Sequence, residues 1–208
     1  CLSSECLLSC NANLLTPLLL LSLLLKNNEI MKYKLIIDRY YKDNDELKDI
    51  LLRHSKAVAD KALAIADAHP ELQLDSQFLL EAAMVHDIGI IKTNAPDIKC
   101  FGTEPYIRHG LLGAEIMRAE GFPLHARVCE RHTGAGLSLK EIEEQALPLP
   151  HIDLLPETLE EKVICYADKF FSKTKLDREK TLEQAERSVA KHGGEGLQRF
   201  KEMEQMFE

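Results

Sequence analysis

From Met31 onward, apolar residues return at intervals of three and four, and short polar stretches divide this pattern into successive amphipathic helices. Leu47, Ile50, Leu51, His54, Val58, Ala62 and Ile65 share one helical face, behind capping side chains at Asp43, Asn44 and Asp45 and ahead of a stop at His69-Pro70. Asp75 and Ser76 cap a second helix, Leu79 to His86, which ends by Gly89. The stretch from Lys92 to Thr103 holds Pro96 and Gly102 and reads as a loop. Pro105 then opens a helix through His109, Leu112, Ile116 and Met117 to Gly121, and Pro123 opens a short one ending at His132 and Gly134. Pro148, Pro150 and Pro156 make residues 145–157 a stiff, irregular connection. Beyond it, Leu159, Val163, Ile164, Ala167, Phe170 and Phe171 mark a further amphipathic helix. Two last helices, 177–192 and 194–207, are polar enough to be expected at the periphery.

Composition supports an all-α bundle of about seven to nine helices. The 208 residues are 45% hydrophobic and 29% charged, with only 6% aromatics and no Trp, so Leu, Ala, Glu and Lys dominate over the β-branched residues that strands prefer. A chain of this length forms one domain that buries roughly 70% of its unfolded surface, here residues 31–208 with a core at 50–175. The net charge is −8, and no basic cluster offers a surface for nucleic acid. Cys1, Cys6, Cys10, Cys100, Cys129 and Cys165 lack any paired metal spacing and read as reduced thiols, which fits a cytoplasmic protein.

The apolar run at residues 14–25 contains Pro17 and is too short to span a bilayer, which needs about 20 residues. Glu5 precedes it and Lys26 to Glu29 follow it, the wrong flanks for a signal peptide, and Cys10 lies on the wrong side of it for a lipoprotein signal. Residues 1–30 are therefore expected to be a non-native or disordered extension from an over-extended gene start, with Met31 as the true beginning. No membrane partner is expected.

Chemistry enters where polar groups occupy apolar positions. His54 lies on the face of Ile50 and Val58, His86-Asp87 ends an apolar helix, and Asp168 lies on the side of Ile164 and Phe171. A single buried histidine is ordinarily just hydrogen-bonded in a core. Two buried aspartates without an adjacent Arg are different, because an uncompensated carboxylate is costly and a cation relieves it. Two His and two Asp suit Mn, Fe or Zn, and Mg less readily.

The order His54, then His86-Asp87, then a distant Asp168, with Val85-His86-Asp87-Ile88-Gly89 giving the HDIG wording, resembles the HD superfamily of metal-dependent phosphohydrolases over roughly residues 50–175. The resemblance implies an α-bundle with each element of the motif on its own helix. It also implies that His109, in His109-Gly110-Leu111-Leu112-Gly113-Ala114, and His132, in His132-Thr133-Gly134, serve a second ion with Asp87 as the bridge. This wording is most similar to symmetrical diadenosine tetraphosphate hydrolases and to small uncharacterised HDIG proteins of bacteria and archaea. The chain carries no GYP, which disfavours the cyclic-dinucleotide branch, and Ile90 stands where many relatives carry a Lys after HDIG, leaving Lys92 as the nearest base.

The expected activity is hydrolysis of a phosphate ester or nucleotide by a metal-activated water, with one or two divalent ions held by His54, His86, Asp87, His109, His132 and Asp168. Catalytic roles fall to Asp87, His109, His132 and Lys92, and substrate-binding cations to Arg108, Arg131, Lys169 and Lys173. His125, one heptad before His132, is a weaker candidate to support a ligand from behind, whereas His69, His151 and His192 are expected in solvent. Tyr106 and Phe101 could stack on a base, although core packing is the simpler role. The alternative to hydrolysis is a catalytically silent nucleotide-binding sensor that keeps the metal cradle. No phosphate-binding loop, dinucleotide fingerprint, nucleophile elbow or HExxH motif occurs.

Overall fold

Asn44 starts the first long helix: its side-chain oxygen accepts the Leu47 amide at 3.0 Å, one of the expected capping groups. The computed structural model describes residues 32–191 and 193–208, so the expectations for residues 1–30 and for His192 lie outside the described residues. Nine α-helices occur among them. In chain order they are α1 Tyr33–Tyr40, α2 Asp45–Ala68, α3 Ser76–Val85, α4 His109–Ala119, α5 Pro123–Arg131, α6 Leu139–Glu144, α7 Leu159–Asp168, α8 Leu182–Ala190 and α9 Gly194–Phe207. None is long and apolar enough to cross a membrane.

The all-α expectation holds with one local departure. Thr93–Ala95 (β1) forms the centre of a three-stranded sheet, antiparallel to Cys100–Phe101 (β2) and parallel to Glu104–Pro105 (β3). Strands of two and three residues are too short to show alternation, so the stretch reads as a loop from sequence. Pro105, expected in a first helical turn, instead sits extended at φ −58°, ψ 139° in β3, and the helix opens at His109 after a single 3₁₀ turn. A fixed φ near −65° suits either setting.

One core cluster gathers Val58, Ala59, Ala62 and Ile65 of α2, Leu79, Ala82 and Ala83 of α3, and Val163 to Ala167 of α7. Phe200, Met203 and Phe207 of α9 complete it. The C-terminal helices are thus not peripheral: the Phe200 ring stacks on Tyr166 with centroids 5.0 Å apart, and the Tyr166 hydroxyl donates to the Glu208 carboxylate at 2.9 Å. Their apolar residues are few but fall on one face, and placement rather than number decides burial. Helix α6, too short to show a helical period in the sequence, is opened by a capping box of Ser138 and Glu141.

Phe200 is fully buried. Phe200→Ala is expected to cost about 3–5 kcal/mol in urea denaturation, whereas a peripheral helix would lose well under about 1 kcal/mol.

Candidate metal centre

Five helices converge on one point. His54 comes from the middle of α2, His86-Asp87 follow the end of α3, His109 begins α4, His132 caps the end of α5 and Asp168 ends α7. All six are buried, His86 and Asp87 completely. Asp87 divides them between its two oxygens. Oδ2 lies 3.0 Å from His54 Nε2 and 3.1 Å from His86 Nε2, while Oδ1 lies 3.3 Å from His109 Nε2 and 3.4 Å from His132 Nε2. Asp168 Oδ1 closes the first group at 3.0 Å from His54 Nε2 and 3.5 Å from His86 Nε2.

The far side of three rings fixes which nitrogen faces inward. His86 Nδ1 donates to Ala83 O at 2.6 Å, His109 Nδ1 to Tyr106 O at 2.8 Å and His132 Nδ1 to Cys129 O at 2.8 Å. Each carbonyl belongs to the residue three before the ring, so Nδ1 carries a proton and Nε2 points to the centre, as a lone pair wherever the ring is neutral. His109 Nε2 and His132 Nε2 consequently face each other at 3.1 Å, a contact between lone pairs that a cation relieves. His54 Nε2, His86 Nε2 and both Asp87 oxygens are buried without a hydrogen bond of acceptable geometry. Convergent nitrogen and carboxylate donors of this kind fit a divalent ion in each of two groups, His54-His86-Asp87-Asp168 and Asp87-His109-His132.

The HD domain family matches residues 51–172 of the chain, a segment that contains every one of these donors. The chain belongs to the HD domain family. It is 33% identical over 140 residues to a tRNA (cytidine(56)-2'-O)-methyltransferase of Picrophilus torridus, covering 67% of this chain and 36% of that protein. A methyltransferase of the same name from Thermoplasma volcanium is 32% identical over 153 residues, covering 69% of this chain and 40% of that protein. An uncharacterised protein of Methanocaldococcus jannaschii is 37% identical over 128 residues, covering 60% of this chain and 68% of that protein. The chain therefore spans well under half of the two methyltransferases. No solved structure matches it.

Glycine makes the HD centre geometrically accessible. A Cβ on Gly89, the glycine of HDIG, would lie 2.1 Å from His109 O and 2.3 Å from Gly113 N. A Cβ on Gly110 would lie 2.5 Å from Cys129 O. Bare backbones thus let the turn after Asp87, the start of α4 and the end of α5 touch, which brings His109 and His132 up to Asp87.

Two lysines face the carboxylates. Lys173 Nζ lies 2.5 Å from Asp87 Oδ2, and Lys169 Nζ lies 2.6 Å from Asp168 Oδ2 while also donating to His132 O at 3.0 Å. Burial would raise the Asp87 pKa, but Lys173 and His86 hold it well below the usual carboxylate range. Burial acts likewise on Asp168, and Lys169 with His54 and His86 overcomes it. Burial pulls His86 down, yet Asp87 and Asp168 prevail and lift it to about 9. Burial dominates at His109, which falls to about 3, and at His132, which is also lowered.

A cavity of about 620 Å³ opens on this cluster, with His109, His132 and Asp168 on its floor and Lys169, Lys173 and Lys180 along one side. Ile107, Leu137, Leu147 and Phe171 give it an apolar wall. The segments 92–103 and 145–157 also contribute, through Ala95, Asp97 and Ile98 and through Gln145 and Leu147. Lys180 has no local sequence signal; its Nζ donates to Lys169 O at 2.8 Å. Arg199 of α9, equally unmarked, donates to Ala135 O at 3.1 Å and Gly136 O at 2.9 Å and so pins the loop that follows His132.

Other candidates are not brought together with the cluster. Lys92 ends the 3₁₀ turn Ile88–Lys92 and pairs with Glu115 at 3.5 Å on the outer surface, because the turn carries its side chain away from Asp87. Arg108 is held by Glu104 at 2.6 Å, and Arg131 by Leu155 O at 2.6 Å and Glu157 at 2.7 Å. His125 lies against Glu81 at 3.5 Å, flanked by Phe78 and Phe122, and backs none of the donors. His69 is part-buried rather than solvated, with Nε2 3.2 Å from Phe207 O, whereas His151 is exposed. Tyr106 stacks on His109 at 4.7 Å, and Phe101 is 70% exposed.

A divalent ion needs the His86 lone pair that a proton occupies below about pH 9. Mn²⁺ affinity should therefore fall by about tenfold per pH unit below that value, with about one proton released per ion at pH 7.5; calorimetry in buffers of different ionisation enthalpy measures both. Gly89→Ala should cost about 1–3 kcal/mol in thermal denaturation and weaken Mn²⁺ binding by about tenfold or more, as the α4 backbone is pushed off the turn.

Proposed function

We propose that this HD-domain protein is a metal-dependent phosphohydrolase that cleaves a phosphate ester or nucleotide with an activated water. One observation carries the reading: a cluster of six His and Asp donors meets, through His109, His132 and Asp168, a cavity that Lys169, Lys173 and Lys180 also line. The donor set suits one or two ions of Mn, Fe or Zn, and Mg less well because imidazole makes up much of it. Such an ion, when bound, lowers the pKa of water and offsets charge on phosphoryl oxygens.

The chain's own residues supply the remainder. Lys169 and Lys173 draw the anionic group to the floor, and in a buried site their charge acts more strongly than in water. The apolar wall of Ile107, Leu137 and Leu147 receives the organic part of the substrate. His109 and His132 stay neutral through the physiological range, since burial lowers both. Arg108 and Arg131 are engaged by Glu104 and Glu157, so phosphate binding rests on the lysines.

The overall charge of −8 favours a small anionic substrate over a polyanion. Two relatives bear the name of a tRNA methyltransferase but share only 36% and 40% of their length with this chain, so tRNA belongs in the substrate panel beside mono- and dinucleotides. The silent-sensor reading is favoured by one feature, the absence of a base near Asp87 in the HDIG turn, where Ile90 is buried and Lys92 faces Glu115.

Mn²⁺-dependent release of phosphate or of an aryl alcohol from a generic ester is expected, with loss to the uncatalysed rate in Asp87→Ala. Lys169→Met should lower kcat by about 10²–10³-fold. Nucleotide binding without turnover across the panel would select the sensor instead.

A further inference from the structure

Lys173 is aimed at a ligand rather than into open cavity. Its ammonium meets Asp87 Oδ2 at 2.5 Å, the same oxygen that lies 3.0 Å from His54 Nε2 and 3.1 Å from His86 Nε2. The side chain is only 12% exposed and Asp87 is fully buried. A positive charge thus already stands against the carboxylate oxygen that the first donor group would use. Lys169 is placed differently, sharing its ammonium between Asp168 Oδ2 and the His132 carbonyl.

A divalent ion on that oxygen would stand within a few ångströms of the ammonium, and two cations so close in a buried site repel strongly, which drives the ammonium away. The surroundings of Lys173 leave it somewhere to go. It lies five residues beyond Asp168, in a segment without helix or strand, and it borders two hollows at once. One is the cavity above the cluster, shared with Lys169 and Lys180; the other is a groove of about 560 Å³ lined by Ile50, Arg53 and Asp97. The segment's ends are tied by Lys180 N–H to Phe170 O at 2.8 Å and by Lys61 to Glu179 at 3.1 Å, so the side chain can move while the backbone stays anchored.

We propose that Lys173 is a resident cation which occupies Asp87 until a divalent ion displaces it, and that the displaced ammonium then becomes an anion-binding group of the cavity. The metal-free centre is held together by its own lysine, and loading the metal arms the site for a phosphate group. This inference rests on the reading of the six donors as a metal centre.

The test titrates Mn²⁺ calorimetrically into wild type and Lys173→Met, follows thermal denaturation with and without Mn²⁺, and then titrates inorganic phosphate into each Mn²⁺-loaded protein. Lys173→Met should bind Mn²⁺ about tenfold or more tightly than wild type, melt lower without metal, and recover when loaded. Its affinity for phosphate in the loaded state should drop by about tenfold. Equal or weaker Mn²⁺ binding by the variant overturns the displacement, and unchanged phosphate affinity overturns the second role. A wild type that binds no Mn²⁺ overturns the metal reading and this inference together, whereas a wild type that binds it beside an indifferent variant overturns this inference alone. Lys173→Gln, which keeps a polar side chain of similar reach, takes the place of the Met variant if circular dichroism shows the latter unfolded.

Discussion

A carboxylate with no exposure to water governs the architecture. Asp87 is fully buried, and an isolated charge in such a place is too costly for a domain of marginal stability to tolerate. Positive charge has to be delivered to it from elsewhere in the chain, and Lys173, arriving from the segment beyond α7, and His86 supply it. Around them the fold brings α2, α4, α5 and α7 to the end of α3, so that His54, His109, His132 and Asp168 converge on the same point. Each of these elements is also a wall of the core, so the site and the packing cannot be varied separately.

The imidazoles are oriented by economical means. Three of the four rings are fixed by a carbonyl three residues earlier, supplied at a helix end where backbone groups lack intrahelical partners. His86 and His132 use the last carbonyls of α3 and α5, and His109 uses the 3₁₀ turn before α4. Helix termini thereby do two things at once: they stop the helix, and they set the tautomer of a ligand. Gly89 and Gly110 then permit the approach that these short connections demand.

Much of this was legible in the chain itself. The α2 stripe with His54 on its buried face, the Asp75 cap, the end of α3 at His86-Asp87 and the placement of Asp168 all follow from helical periodicity, because each polar residue interrupts an apolar pattern long enough to be unmistakable. The pairing of His109 and His132 with Asp87 came from resemblance, since no local pattern joins residues in separate helices. What escaped is equally physical. Strands of two or three residues carry no period, so the sheet at 93–105 looked like a loop. Side-chain direction within a 3₁₀ turn cannot be read from adjacency, which is why Lys92 looked close to Asp87 and lies outside. Arg108 and Arg131 are neighbours of ligands in sequence but are captured by Glu104 and Glu157, partners that only folding reveals. In α9, three well-placed apolar residues outweighed a polar majority.

The division of labour along the chain follows from where the family match ends. Residues 51–172 hold all six donors, and the match stops one residue before Lys173. Lys173, Lys180, Ser188 and Val189 line the cavity from beyond it, and Arg199 pins the loop after His132 from farther still. The matched segment therefore contains every donor and most of the cavity lining, and the residues beyond it supply the rest of that lining. A centre fixed by buried charge tolerates little change, because every donor compensates another. Thr174, Ser188 and Val189, which line the cavity from beyond the match, compensate none of these charges, so their side chains can change without disturbing the donors.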